Sequence, residues 1–219
     1  MADPKSFFLD ADIHEYLVAH GTPPDDIQRG LIASTAALGG ISMMQISPEQ
    51  GAFMTLLTRL LGVTLAVEVG TFTGYSALCI ARGLAPGGRL ICCDISEGWT
   101  AIARPAWERA GVADRIDLRI APAIETLAAL PAEAVIDLAF IDADKPSYAK
   151  YYDAILSRMK PGGLILVDNV LWSGAVIDAA ITDENTIAIR AFNDLVAADD
   201  RVDTVMIPLG DGITFLRKR

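Results

Sequence analysis

Oxygen donors gather at the ends of two apolar runs, Phe140-Ile141-Asp142-Ala143-Asp144-Lys145 and Leu166-Val167-Asp168-Asn169. Asp142, Asp168 and Asn169 carry hard oxygen atoms. Three such donors around one point suit Mg²⁺ or a similar divalent cation and leave positions for water and substrate. Lys145 follows just beyond and reads either as part of a site with these oxygens or as a solvated loop residue or salt-bridge partner of Asp144. A single Asp or Asn at a strand end commonly caps a turn. Two strand ends with the same chemistry, accompanied by a Lys, point instead to a site.

The flanking residues must bring these donors together. Val135 to Ile141 and Leu164 to Val167 read as parallel strands buried on both faces. In an open α/β sheet, ligands bind at the carboxyl ends of such strands. If the two strands are neighbours, Asp142, Asp168 and Asn169 converge.

A second site lies earlier in the chain. The strand Leu65 to Val69 runs into Glu68-Val69-Gly70-Thr71-Phe72-Thr73-Gly74-Tyr75-Ser76. A glycine turn there lets a ligand approach the backbone at a helix start. The dinucleotide fingerprint would need glycine where Phe72 and Tyr75 stand, so that pattern fails. The next strand, Arg89 to Asp94, ends in a carboxylate able to accept both hydroxyls of a ribose. Glu68 supplies a further acid. A nucleoside without a pyrophosphate fits this set better than NAD.

Alternation of strand and helix continues from residue 64 onward. Helices are expected over Thr73–Arg82, Gly98–Ala110 with Gly111 as its cap, Pro122–Leu130, Tyr148–Met159 and Asn185–Ala198. A further strand covers Arg115–Ile120. Val202–Leu209 and Ile213–Leu216 flank Gly210-Asp211-Gly212 as a hairpin, so the last strand runs antiparallel to its predecessor. The expected fold class is α/β: a mostly parallel seven-stranded sheet with helices on both faces and an antiparallel C-terminal hairpin strand. Residues 1–62 form an N-terminal helical cap and 63–219 the core of one domain spanning 1–219. In the cap, Asp10–Ala19 is a short helix. Thr22-Pro23-Pro24-Asp25 starts another, with Ile27, Leu31 and Leu38 on one face. Ser47-Pro48-Glu49-Gln50 reads as a capping box with Pro at the first helical position. Phe53, Leu56, Leu57, Leu60 and Leu61 then face a core.

The chain has 219 residues, 52% of them hydrophobic. That is enough for a large core. A net charge of −10 opposes a nucleic-acid partner, because neutralising phosphates needs clustered Lys and Arg. Arg217-Lys218-Arg219 reads as a solvated terminus. No apolar stretch is long enough for a membrane span, and no signal peptide is visible. Cys79, Cys92 and Cys93 read as core fillers, the adjacent pair on opposite faces of a strand. This composition suits a reducing, cytoplasmic setting. His14 and His20 read as surface residues. Met43 and Met44 are placed either to line a site or to fill a core gap.

These segments together resemble the metal-dependent S-adenosylmethionine (SAM) O-methyltransferases of the caffeoyl-CoA and catechol type. The resemblance spans about Lys5 to Arg219. Glu68 to Ser76 resembles the first SAM motif of that family. Phe140 to Lys145 and Asp168 to Gly174 resemble its metal and catalytic motifs, and Leu209 to Ile213 its C-terminal hairpin. The resemblance implies a Rossmann-like class I methyltransferase fold and SAM contacts from Ile46, Glu68, Gly70, Thr71, Ser76, Asp94, Ala123, Asp142 and Asp144. It implies a metal held by Asp142, Asp168 and Asn169, the cation being Mg²⁺ or another such as Ca²⁺ or Mn²⁺. Lys5 and Ser173 align with acceptor contacts, and Trp172 reads equally as a wall of the acceptor pocket or as ordinary core packing. The implied partner is a small aromatic ortho-dihydroxy acceptor, with Lys145 and Asp142 catalytic, and the implied assembly is a homodimer. The chain departs from plant members at Ala121-Pro122-Ala123, at Pro146-Ser147 and at Ser173, the last two bearing on acceptor identity. Two rival readings are a SAM-binding or partner-binding protein without catalysis and an NAD-dependent oxidoreductase. The intact Asp142, Lys145, Asp168 and Asn169 set opposes the first, and the failed glycine pattern opposes the second.

Overall fold

The computed structural model describes residues 10–133 and 135–219. Seven strands form one sheet: β1 Leu65–Val69, β2 Arg89–Asp94, β3 Ile116–Ile120, β4 Ile136–Ile141, β5 Met159–Val167, β6 Val202–Ile207 and β7 Ile213–Lys218. Their order is β3-β2-β1-β4-β5-β7-β6. Strands β1 to β5 pair with one another in parallel, while β7 runs antiparallel to both β5 and β6. The expected Rossmann-like architecture with its antiparallel hairpin is therefore present.

Alternation along the strands builds two cores, one on each face. Leu138, Phe140, Leu164 and Leu166 pack with Met54, Tyr75, Leu78 and Trp107 on one side. Val67, Ala139, Ile141, Ile165 and Val167 pack with Leu127, Tyr148, Tyr152 and Phe192 on the other. Cys92 belongs to the first core and Cys93 to the second, as adjacent strand positions require. All three thiols are buried and free. Burial pushes the Cys79 and Cys93 thiols up to about 12, because an apolar interior disfavours thiolate.

The helices are α1 Ala11–His20, α2 Asp26–Ala36, α3 Pro48–Leu60, α4 Tyr75–Gly83, α5 Glu97–Arg109, α6 Ala123–Ala128, α7 Tyr148–Leu156 and α8 Glu184–Ala198. None of the described helices is long and apolar enough to cross a membrane. His14 and His20 are exposed, as expected.

Several expectations fail in the N-terminal helices. The capping box sits one helix earlier: Asp25 accepts from the Gln28 N–H, and the Gln28 side chain accepts from the Asp25 N–H. Ser47 makes no side-chain cap to α3, although Pro48 does occupy its first turn. Leu56, Leu60 and Leu61 are exposed, Leu60 by 75%, whereas Phe53 and Leu57 pack on the core. The buried stripe of α3 is narrower than its apolar composition. Leu38 is also exposed, because α2 ends at Ala36 and the chain turns away. Met43 and Met44 are exposed, Met43 by 87%, so neither fills a core gap.

One C-terminal detail also differs. The helix expected to reach Met159 ends at Leu156, and β5 begins at Met159, through the Pro161-Gly162-Gly163 segment. Arg217 and Arg219 are exposed, as expected of a solvated terminus, and all three final basic residues find partners. Arg217 and Arg219 pair with Asp203, and Lys218 Nζ donates to the Leu156 and Met159 carbonyls.

Candidate active site

β4 and β5 are in register at Ile141 and Val167, so Asp142 and Asp168 leave the sheet side by side. The Asp168 N–H donates to the Ile141 carbonyl at 3.0 Å, which extends the ladder to the acidic residues. Asn169 then takes a left-handed backbone, φ 58°. Asn adopts that conformation more readily than most residues. Its side-chain oxygen accepts from Lys145 Nζ, which also bonds Asp142.

Lys145 stands where the donors meet. A short 3₁₀ turn, Lys145–Ser147, with Pro146 in it, carries it over the strand ends. It is only 7% exposed. Its Nζ donates to Asp142 Oδ1 at 3.2 Å, to Asn169 Oδ1 at 2.7 Å and to the Tyr148 hydroxyl at 2.5 Å. Tyr148 in turn donates to the Asp168 carbonyl at 3.1 Å. The centroid of the Trp172 ring lies 5.5 Å from Nζ, within cation–π reach. The ion pair of Lys145 is with Asp142, while Asp144 is exposed and accepts from the Tyr151 hydroxyl at 2.6 Å.

Asp168 is buried, with two donors on its carboxylate. Gln50 Nε2 donates to Oδ2 at 2.6 Å and the Asn169 N–H to Oδ1 at 2.7 Å. Burial and the neighbouring Asp142 charge push the Asp168 carboxyl up to about 7, against Gln50, the Asn169 N–H and Lys145, which pull it down. An uncharged carboxyl is favoured where water is excluded and a second anion stands near. Burial raises Asp142 as well, opposed by Lys145. A buried and a half-buried carboxyl that resist ionising together are stabilised by positive charge between them. With the amide oxygen of Asn169, the set fits a divalent cation that prefers oxygen ligands. Among the described residues no group of three or more His, Cys, Asp or Glu side chains gathers to hold a metal. This set is two carboxylates and an amide.

The glycine turn lies beside these residues. Gly70 has φ +90°, and a Cβ there would sit 1.9 Å from the Asp142 carbonyl oxygen. Only glycine lets the turn pass the end of β4. Asp94 braces the turn. Its Oδ2 accepts the Thr71 and Phe72 N–H groups at 3.0 and 2.7 Å, and its Oδ1 accepts the Ser96 N–H at 2.7 Å. The expected ribose acceptor therefore also has a local structural task. Glu68 is fully buried, with Cys92 Sγ donating to Oε2 at 3.4 Å and Oε1 without a partner among the described residues. Burial pushes its carboxyl up to about 7, against the Ser76, Thr71 and Cys92 groups that pull it down. Ser76 lies buried in the first turn of α4, Ala123 is buried at the start of α6, and Ile46 is buried just before α3. Helix α4 begins at Tyr75, later than expected, and the Thr73 hydroxyl accepts from Thr35 instead.

Trp172 and Ser173 open the segment after Asn169, both at positive φ. The Ser173 N–H donates to Asp211 Oδ1 at 2.6 Å, which fastens this segment to the hairpin turn. Arg190 of α8 holds the rest of it. Its guanidinium donates to the carbonyls of Ala175, Val176, Asp178 and Ile181. Lys5 lies outside the described residues. Nothing local in the sequence marks Tyr148, Asp211 or Arg190, and Gln50 reads there as part of a helix cap. Long-range contacts of this kind have no local signature.

The model of the family described as "O-methyltransferase" matches residues 20–219. The chain is 40% identical over 210 residues to "Probable caffeoyl-CoA O-methyltransferase 1" of Dictyostelium discoideum, covering 94% of this chain and 91% of that one. It is 33% identical to caffeoyl-CoA O-methyltransferase 2 of Zea mays, covering 98% and 85%. Its fold is similar to that of a Bacillus cereus O-methyltransferase solved with SAH, with a TM-score of 0.87, 32% identity and coverage of 95% and 97%. The chain therefore belongs to the O-methyltransferase family and is a SAM-dependent O-methyltransferase of the caffeoyl-CoA type.

Proposed function

We propose that this enzyme methylates one hydroxyl of a small ortho-dihydroxy aromatic acceptor and needs a divalent cation, Mg²⁺ or one such as Ca²⁺ or Mn²⁺. The observation that carries this reading is the meeting of Asp142, Asn169 and Lys145 beside Asp168, at strand ends in register. Asp142, Asp168 and Asn169 would hold the cation. When bound, it supplies positive charge that favours the ionised form of the acceptor hydroxyls.

The chain's own residues do the rest. Lys145 is assigned as the general base: a cation held beside it would disfavour its ammonium form, and the resulting amine takes the proton of the attacking hydroxyl at Nζ. The oxygen's electron pair forms the new bond to the methyl carbon as the carbon–sulfur bond breaks, its pair passing to sulfur. S-adenosylhomocysteine leaves with a neutral sulfur. Ile46, Glu68, Gly70, Thr71, Ser76, Asp94, Ala123 and Asp144 are assigned to SAM, with Asp142 at the boundary of both sites. The unpartnered Glu68 Oε1 supports that assignment, since a buried carboxylate oxygen calls for a donor. Trp172 and Ser173 are assigned to the acceptor, with Trp172 as a wall beside Lys145. A CoA ester would need a Lys and Arg cluster for its phosphates. The chain's net charge of −10 favours a smaller acceptor.

The enzyme is also proposed to be a cytoplasmic homodimer. The exposed Leu56, Leu60 and Leu61 side chains supply apolar surface, which a second copy would cover.

The deciding experiment follows labelled methyl transfer from SAM to a catechol panel, with and without a chelator. Transfer that stops with chelator and returns with Mg²⁺ is expected. Undiminished transfer in metal-free buffer would exclude the cation.

A further inference from the structure

Gln50 stands apart from the other residues of α3. It is 2% exposed, yet among the described residues its amide serves no helix cap. Its Nε2 donates to Asp168 Oδ2 at 2.6 Å. The other carboxylate oxygen, Oδ1, takes the Asn169 N–H at 2.7 Å. Each oxygen of Asp168 thus has one fixed donor and keeps lone-pair capacity for another partner. One donor on each oxygen restrains rotation of the carboxylate. The far end of the amide lies against the hairpin turn. A Cβ on Gly210 would lie 2.8 Å from Gln50 Oε1, so the bare glycine of the hairpin turn makes room for it. The same turn carries Asp211, whose Oδ1 accepts from Ser173.

We infer that Gln50 is a positioning residue that aims the Asp168 carboxylate at the bound cation and so sets the affinity of the site for it. The inference rests on the cation reading proposed above. A donor behind a ligating carboxylate fixes its direction and stabilises its charged form. Loss of such an outer partner commonly weakens metal affinity by roughly tenfold to a hundredfold. Gln50 also places one determinant of the cation site in the N-terminal helices, far from β4 and β5 in sequence. The N-terminal helical segment is then a working part of the site and not only a cover over it.

The test uses the full chain, with Mn²⁺ as a paramagnetic probe whose free fraction is read by EPR, and SAH affinity measured by calorimetry. Gln50→Met and Gln50→Leu remove the donor and put an apolar side chain of similar bulk in its place. Expected is a Mn²⁺ Kd raised by about tenfold or more in both, with SAH Kd within about twofold of the parent. The Mg²⁺ concentration for half-maximal turnover should rise in parallel, while kcat at saturating Mg²⁺ changes far less. Equal Mn²⁺ binding in parent and variants would overturn the inference and leave the cation reading standing. Loss of SAH and Mn²⁺ binding together in both variants would assign Gln50 to holding the fold and also overturn it. A parent chain that takes up no Mn²⁺, and an Asp168→Ala variant no different from it, would remove the cation reading itself.

Discussion

Tyr148 accepts a hydrogen bond from Lys145 Nζ and donates its own to the Asp168 carbonyl, so one buried phenol connects the proposed base to the neighbouring strand end. Burial, reinforced by the Asp142 and Asp168 charges, holds this phenol well above its ordinary range, so it works as a neutral hydroxyl. Removing it should loosen Lys145 without touching the cofactor side. Tyr148→Phe is expected to lower kcat by about tenfold with SAH affinity unchanged. Lys145→Ala should be more severe, about a hundredfold or more, as expected for loss of a general base. Steady-state kinetics beside SAH calorimetry checks both. Full activity in Lys145→Ala would reject the base role.

Asp137 makes a pH-dependent tie at the opposite end of the sheet. Its carboxylate accepts from the Thr64 N–H, the Thr64 hydroxyl, the Leu65 N–H and Lys160 Nζ. Burial pushes its carboxyl up, but the Lys160 ion pair and the Thr64 and Leu65 donors outweigh it and hold the group at about 2. The unfolded value is about 3.9. The folded value is the lower one, so the stabilisation is present above pH ~4 and fades as the pH falls toward ~2. Allowing for a partly solvated Lys160, it amounts to about 1 kcal/mol. Urea midpoints measured between about pH 5 and 2 should fall for the parent. Asp137→Asn should start lower and lose less across that window.

Arg190 fixes the segment after Trp172 by donating to four backbone carbonyls. A lysine has one ammonium in place of the planar fork and cannot reach all four. Arg190→Lys should raise the acceptor KM several-fold and leave SAH affinity alone. It should also expose residues 173–181 to limited proteolysis. A protease pattern identical to the parent's would count against this role.

Gly70→Ala is expected to be the most damaging small change. The added methyl would meet the Asp142 carbonyl, and φ +90° is unfavourable for alanine. A loss of about 3 kcal/mol or more is expected, read as a lower urea midpoint. SAH binding should fall with it, because the turn and the end of β4 would both shift.

The sheet and its two acidic strand ends are legible in the sequence because each rests on a local pattern. The apolar runs of β4 and β5 end abruptly at Asp142 and Asp168, and that pattern needs no partner to be read. The alternation that sends Cys92 and Cys93 to opposite cores is equally local. Gln50 reads as part of a cap because its near neighbours suit one, whereas its partner is supplied from beyond β5. Leu56 and Leu60 match a helical apolar stripe, but a stripe does not state how wide the surface covering it will be. Asp94 reads only as a ligand acceptor. Its bonds to Thr71, Phe72 and Ser96 depend on the path of the glycine turn.

The left-handed backbone of Asn169 has a consequence for which residues that position can carry. In a continuing strand, two successive side chains diverge to opposite faces, so adjacent oxygen donors would point apart. With its reversed φ, Asn169 presents its side-chain oxygen to Lys145 Nζ, which also bonds Asp142. Valine or isoleucine would thus fail there twice over, lacking oxygen and strongly disfavouring that torsion. Aspartate would keep both properties. Handedness of the main chain, and not only ligand chemistry, narrows the vocabulary at this position.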